Sequence, residues 1–297
     1  LKHGIASAAV DAWQSLAVVR QARGDVGTAL DARRSAARSA SAAGLKAREA
    51  TLTINVGFAL TTLGAEGEAR LAIEGGIALA QAIGSPGVER HGKMNLLCWA
   101  ATFGSDPSLE LPLAETRAVA DSAGNGSWVP HDRATLGVLF YRGAELLRSD
   151  GRAADARALL RIAAQGYRGT KMLDVLPVAL GLWAEAERRC KDAERACALA
   201  SEAAGLIEQG ASLLNEAPVY LALHDANVDL GNLQAARDAI VRGVPRLVTR
   251  MRGLSGTPYG RTFLTQLPSN AGLIGAAEAY GLVPPEIAGV LGEDDSG

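Results

Sequence analysis

Of the chain's 297 residues 48% are apolar but only 4% are aromatic, so its core must be built from Ala, Leu, Val and Ile. That palette favours helices over strands. The net charge of -2 supplies no basic field toward nucleic acid or an anionic membrane, and the three cysteines include no CxxC pair that would begin a zinc site or disulfide framework.

Residues 3–23 read as a first helix, with Trp13, Leu16, Ala17 and Ala22 at helical spacing. Gly24 ends it by tolerating the left-handed conformation, and Asp25 caps the helix that follows. The same arrangement returns along the chain. Its turn places are Gly24, Gly64, Gly104, Gly151, Lys191 and Gly231, in steps of 40, 40, 47, 40 and 40 residues. The next place holds Asp25, Ala65, Ser105, Arg152, Asp192 and Asn232, four of them good N-cap residues. The second helices close at Gly44, Gly84 and Gly124, then near Gly169, Gly210 and Gly253. Self-similarity at this period predicts a helical solenoid of about six two-helix units over residues 1–254.

The long step is accounted for by residues 125–131, a turn-rich insertion that contains Trp128. Trp128 is expected to fold back on its own helices, with contact to a partner as the other reading. Beyond Gly253, residues 255–282 are expected to form a terminal capping helix, broken at Pro268 and resumed after Asn270. Residues 283–297 are expected to be a frayed tail.

Trp13-x2-Leu16-Ala17 is similar to the tetratricopeptide pattern of Trp, Leu and a small residue. The later small places read Ala29, Ala69, Leu109, Ala156, Ala196, Ala236 and Ala36, Gly76, Thr116, Ala163, Ala203, Gly243. Small residues there let helices cross closely. The third copy is degenerate, and a period of 40 also suits HEAT and armadillo repeats. The resemblance implies an all-α, right-handed superhelix. The tail residues Arg261-Thr262-Phe263-Leu264 and Leu267-Pro268-x-Asn270-Ala271 look like the end of repeat regions attached to bacterial serine/threonine kinases and signal-transduction ATPases.

That family resemblance also implies a concave groove lined by the first helices, which holds a protein or peptide. The corresponding places are Phe58, Thr61 and Thr62; Tyr141, Glu145 and Arg148; Glu185, Arg188 and Arg189; and Asp225 and Asp229. The function expected is that of a protein- or peptide-binding arm of a larger bacterial signalling protein. Other modules of the same chain are among its possible partners. The alternative is a small-molecule (inducer) sensing domain of a signal-transduction ATPase or transcriptional regulator.

Nothing in the sequence indicates an enzyme, a cofactor or a metal. Gly87 to Lys93 has the GxxxxGK spacing of a phosphate loop, but Met94 stands where Ser or Thr would hold magnesium. The histidines are scattered, and His224, at a small place, reads as a hydrogen-bonded helix contact. Cys190 and Cys197 read as ordinary buried thiols. Arg33-Arg34-x3-Arg38 and Arg188-Arg189 read as solvated faces, and Arg246, Arg250 and Arg252 as a candidate patch for an acidic peptide. No apolar run reaches the roughly 18 residues of a spanning helix and no leader pattern opens the chain. A cytoplasmic segment of a longer protein is the expectation.

Overall fold

The computed structural model describes residues 2–104, 133–211 and 215–292. Ser105, Leu109, Thr116, Gly124 and the whole insertion with Trp128 lie outside them. Among the described residues there are fourteen helices and no strand. In chain order these are α1 (Lys2–Ala22), α2 (Val26–Ala42), α3 (Lys46–Thr62), α4 (Glu66–Ala82) and α5 (Pro86–Phe103). They continue with α6 (Arg133–Leu146), α7 (Ala153–Gly169), α8 (Leu176–Arg189), α9 (Ala193–Glu208), α10 (Ala217–Asp229) and α11 (Leu233–Arg252). The last three are α12 (Tyr259–Thr265), α13 (Pro268–Ala279) and α14 (Pro285–Gly292).

The turns form for the reason the spacing predicts. Gly24, Gly64, Gly151 and Gly231 take φ of 79°, 77°, 76° and 75°, and Lys191 adopts the same left-handed place at 68°. The next amide then reaches back to the last helical turn, as Asp25 N does to Arg20 O at 3.0 Å and Asn232 N to Asn227 O at 2.8 Å. These bonds satisfy carbonyls that a helix end leaves open. Asp25 and Asp192 accept from the amides of Thr28 and Arg195 as side-chain caps, whereas Ala65 and Arg152 make none. The end expected near Gly169 falls later. That helix runs through Gly169, and Lys171 takes the left-handed place.

Neighbouring helices pack in series: α1 on α2, α2 on α3, α3 on α4, then α6 on α7 through to α9 on α10. The small places make these crossings close. Ala29, Ala69, Ala156, Ala196 and Ala236 are each at most 3% exposed, and Ala36, Ala163 and Ala203 are fully buried. At the α3–α4 crossing, a Cβ on Gly57 would stand 2.8 Å from the Ala69 carbonyl oxygen. A Cβ on Gly76 would stand 2.9 Å from that of Ala50. Trp13 and Leu16 depart from the expected contacts, being 39% and 38% exposed, while Ala17 is buried. The places equivalent to Leu16, at Val56, Leu96, Trp183 and Leu223, are all buried.

The chain divides into two compact units, Leu1–Trp99 with Thr249–Leu267, and Ala100–Val248 with Pro268–Gly297. In the first, residues 249–267 form a strap against the α1–α2 and α3–α4 turns. Gly27 N donates to Gly253 O at 3.1 Å, and Thr262 Oγ1 donates to Leu63 O at 2.9 Å. The Tyr259 hydroxyl accepts from Arg34 at 2.8 Å and donates to Glu68 at 3.0 Å, while Arg34 pairs with Glu68 at 3.1 Å. Gly253 serves close approach here, since a Cβ on it would lie 1.9 Å from the Gly24 carbonyl oxygen.

In the second unit α13 lies against α10, with Gly272 seated on Leu221 and the buried Asn270 accepting from Asn215 at 2.6 Å. The helix break precedes Pro268, which opens α13 and leaves Asn270 inside it. Proline suits a first helical turn, where its missing N–H costs nothing. The same chemistry forms α14 where a frayed tail was expected, with Pro285 at its start, Glu286 in its first turn and Ile287 buried. Residues 293–297 lie outside the description.

Candidate functional site

The residues expected to line a groove sit on or just past the first helices of their pairs, near the C-terminal ends. In the first unit, Thr61 is 1% exposed and its hydroxyl donates to the Gly57 carbonyl at 3.0 Å, so no partner can reach it. Phe58 and Thr62 remain half-buried on the same helix. They line a cleft with Gln21, Val26, Ala29, Leu30, Arg33, Ala59 and Leu63. The Thr62 hydroxyl donates to Ala59 O at 2.7 Å.

In the second unit the charged candidates are joined to one another and to helix ends. Glu145 is 7% exposed and pairs with Arg142 one turn earlier, and the half-buried Tyr141 packs edge-on to Phe140 with ring centroids 5.0 Å apart. Arg148 is exposed, yet its guanidinium donates to Thr102 O at 2.6 Å and Phe103 O at 3.3 Å. Arg189 donates in the same way to Leu147 O, just past the end of α6. These arginines therefore close the open carbonyls of the preceding first helix and act as struts between successive pairs.

Arg188 completes the network, donating to Glu185 at 2.8 and 3.0 Å and to Asp229 at 3.3 Å. Burial pushes the Glu185 carboxyl up, but hydrogen bonds from Arg188 and Arg189 outweigh it and hold the group below its usual range. The hydrogen bond to Glu185 raises Arg188 above its ordinary value. Asp225 contacts Nδ1 of His224 at 2.7 Å, and Nε2 of that ring lies 3.4 Å from the Tyr280 hydroxyl. His224 is thus a hydrogen-bonded helix contact, as its place in the repeat suggests. The arginines read as a solvated face at 188 and 189 are structural.

Charge pairs also join successive second helices at a fixed spacing of 34 residues. Arg34 meets Glu68, Arg168 meets Glu202 at 2.6 Å, and Arg242 meets Glu208 at 2.5 Å. Arg246 is committed as well, pairing with Glu216 at 3.0 Å and lying, with Arg242, over the Tyr220 ring. Arg250 and Arg252 have interactions of their own, so the proposed basic patch is not a free one.

Arg33 was not anticipated in the cleft; sequence marked it as solvated, whereas it is half-buried with its guanidinium turned to Gln21 Oε1. The stretch with phosphate-loop spacing lies within α5 and is helical throughout, and Lys93 pairs with Glu89 at 2.7 Å. Cys98 is buried, and Cys190 and Cys197 are half-buried free thiols. Among the described residues no group of three His, Cys, Asp or Glu side chains could hold a metal ion, and no helix is long and apolar enough to cross a membrane. No protein-family model matches the chain, and no curated protein matches it with significance.

Proposed function

We propose that the chain is a tetratricopeptide-like, right-handed helical solenoid that binds a protein or peptide. In this reading it is the interaction or sensory arm of a larger bacterial signalling protein. The observation that carries the reading is the struts at the first-helix ends. Arg148 and Arg189 each cap the helix one pair back. Such bonds tie the end of one first helix to the next pair, which is what a platform of repeats presenting an extended ligand needs.

The struts also sort the candidates. Glu145, Arg148, Glu185, Arg188 and Arg189 serve the scaffold; the half-buried Tyr141, and Asp229, which accepts from Arg188 but is exposed, are the candidates taken to the test. The test is affinity capture from a bacterial lysate with the parent chain, beside a Tyr141→Ala, Asp229→Ala double variant whose helical circular dichroism matches the parent. A partner retained by the parent and lost by the variant supports the reading. Identical retention by both, or none by either, refutes it.

A further inference from the structure

Arg33 is half-buried yet has no acid. Arg20 pairs with Asp25 and Arg34 with Glu68, both at 3.1 Å, while Arg33 makes one hydrogen bond, to the neutral Gln21, and meets no carboxylate among the described residues. Burial alone draws its pKa below the ordinary value, with no opposite charge to offset it. A guanidinium partly removed from water and left unpaired carries an uncompensated desolvation cost, which a bound anion would relieve.

The space beside it is suited to that anion. The cleft between the end of α1, α2 and α3 is partly open, with about 20 Å³ of room for the centres of water-sized groups, so the carboxylate oxygens can enter it while the carbon chain that carries them stays at its open side. Leu30, Phe58 and Leu63 form its apolar walls. A guanidinium has five N–H donors in a planar fork, and only one is used here. The Gln21 amide, whose oxygen faces Arg33, leaves its N–H groups as further donors. Two coplanar acceptor oxygens match this fork. A phosphate would bring additional charged oxygens against Leu30, Phe58 and Leu63, with a single cation to balance them.

We propose that this cleft binds a carboxylate carried on a short apolar chain, held by Arg33 and Gln21 with the apolar part against Phe58. The site does not depend on whether the chain also binds a protein.

The experiment is isothermal titration of the full chain with butyrate, its neutral counterpart butyramide, and acetate. A blocked aspartyl tripeptide and its asparaginyl counterpart distinguish a free acid from a partner's acidic side chain. Butyrate is expected to saturate one site with a dissociation constant of order 1 mM, and butyramide to bind at least about tenfold more weakly. Arg33→Gln should lose about tenfold or more, and Phe58→Ala should reduce butyrate to the affinity of acetate while leaving acetate unchanged. Each variant is checked by circular dichroism, and Phe58→Ala leaves the charge in place should Arg33→Gln unfold. Saturation by butyrate assigns the site to a free acid, and saturation by the aspartyl peptide alone assigns it to an acidic side chain. Equal binding of butyrate and butyramide, undiminished binding in folded Arg33→Gln, or saturation by neither acid overturns the proposal.

Discussion

Two adjacent glycines in α4 separate packing from intrinsic helix preference. Gly75 is exposed and a Cβ there meets nothing within 4 Å, whereas a Cβ on Gly76 would lie 2.5 Å from Ile54 Cγ1 and 2.9 Å from the Ala50 carbonyl oxygen. Both are helical, so alanine gains about 1 kcal/mol of helix propensity at either place. At Gly76 that gain meets a clash that the Ile54 side chain can relieve by rotating but the Ala50 backbone can relieve only by moving α3 away. Overpacking of this kind costs about 1–3 kcal/mol, and contact with a main-chain atom places it toward the upper end. Gly75→Ala should therefore stabilise by up to about 1 kcal/mol, and Gly76→Ala should destabilise by roughly 1–2 kcal/mol net. Urea unfolding followed at 222 nm for the two variants and the parent measures both. If Gly76→Ala were as stable as Gly75→Ala, the close α3–α4 crossing would be wrong, and with it the account of the small places.

Three further outcomes follow from single residues. Lys191→Gly should stabilise by about 1 kcal/mol in the same urea assay, because a lysine now holds the left-handed turn place at φ 68°. The Tyr220 hydroxyl is buried and has no hydrogen-bond partner among the described residues, so Tyr220→Phe should be neutral or stabilise by up to about 1 kcal/mol in thermal melts. Loss of stability would mean that the phenol is satisfied. Asp25→Ala should cost about 1 kcal/mol near pH 7 through loss of the cap on Thr28 N. The Asp25 carboxyl is held below its ordinary value, first by the hydrogen bond with Thr28 and further by Arg20. Its contribution is therefore full above the unfolded value of about 3.9 and fades as pH falls through the lower folded value. The gap between parent and variant should be constant from pH 7 to about 5 and close in more acid solution; a gap unchanged at pH 2 would refute the cap.

The turns were legible because a left-handed residue after a helix has few candidates, and glycine at a regular step marks them. Lys191 was found by register alone. Gly169 misled because glycine can also stay helical, and Lys171 took the strained place instead. The charged candidates at 145, 148, 185, 188 and 189 were placed at the ends of first helices, but their bonds to one another and to helix ends were not foreseen. Spacing shows that a side chain lies at a helix end, but not that open carbonyls some 40 residues earlier lie within its reach. Arg33 and Arg34 look alike in sequence. One meets an acid 34 residues on and the other meets none, a difference that only the packing of α1, α2 and α3 reveals. The strap was illegible for a related reason, since Tyr259 finds its partners 191 and 225 residues away.

That strap has a consequence during synthesis. The pairs up to Trp99 emerge from the ribosome early, yet Gly253, Tyr259 and Thr262 do not exist until most of the chain has been made. At typical elongation rates the interval is on the order of ten seconds or more. Throughout it the Leu63 carbonyl, the Gly27 amide and the Arg34–Glu68 pair wait for their final contacts. Adjacent helix pairs can fold locally and fast, whereas the first unit closes through contacts of very high sequence separation, which places its completion among the last events of folding.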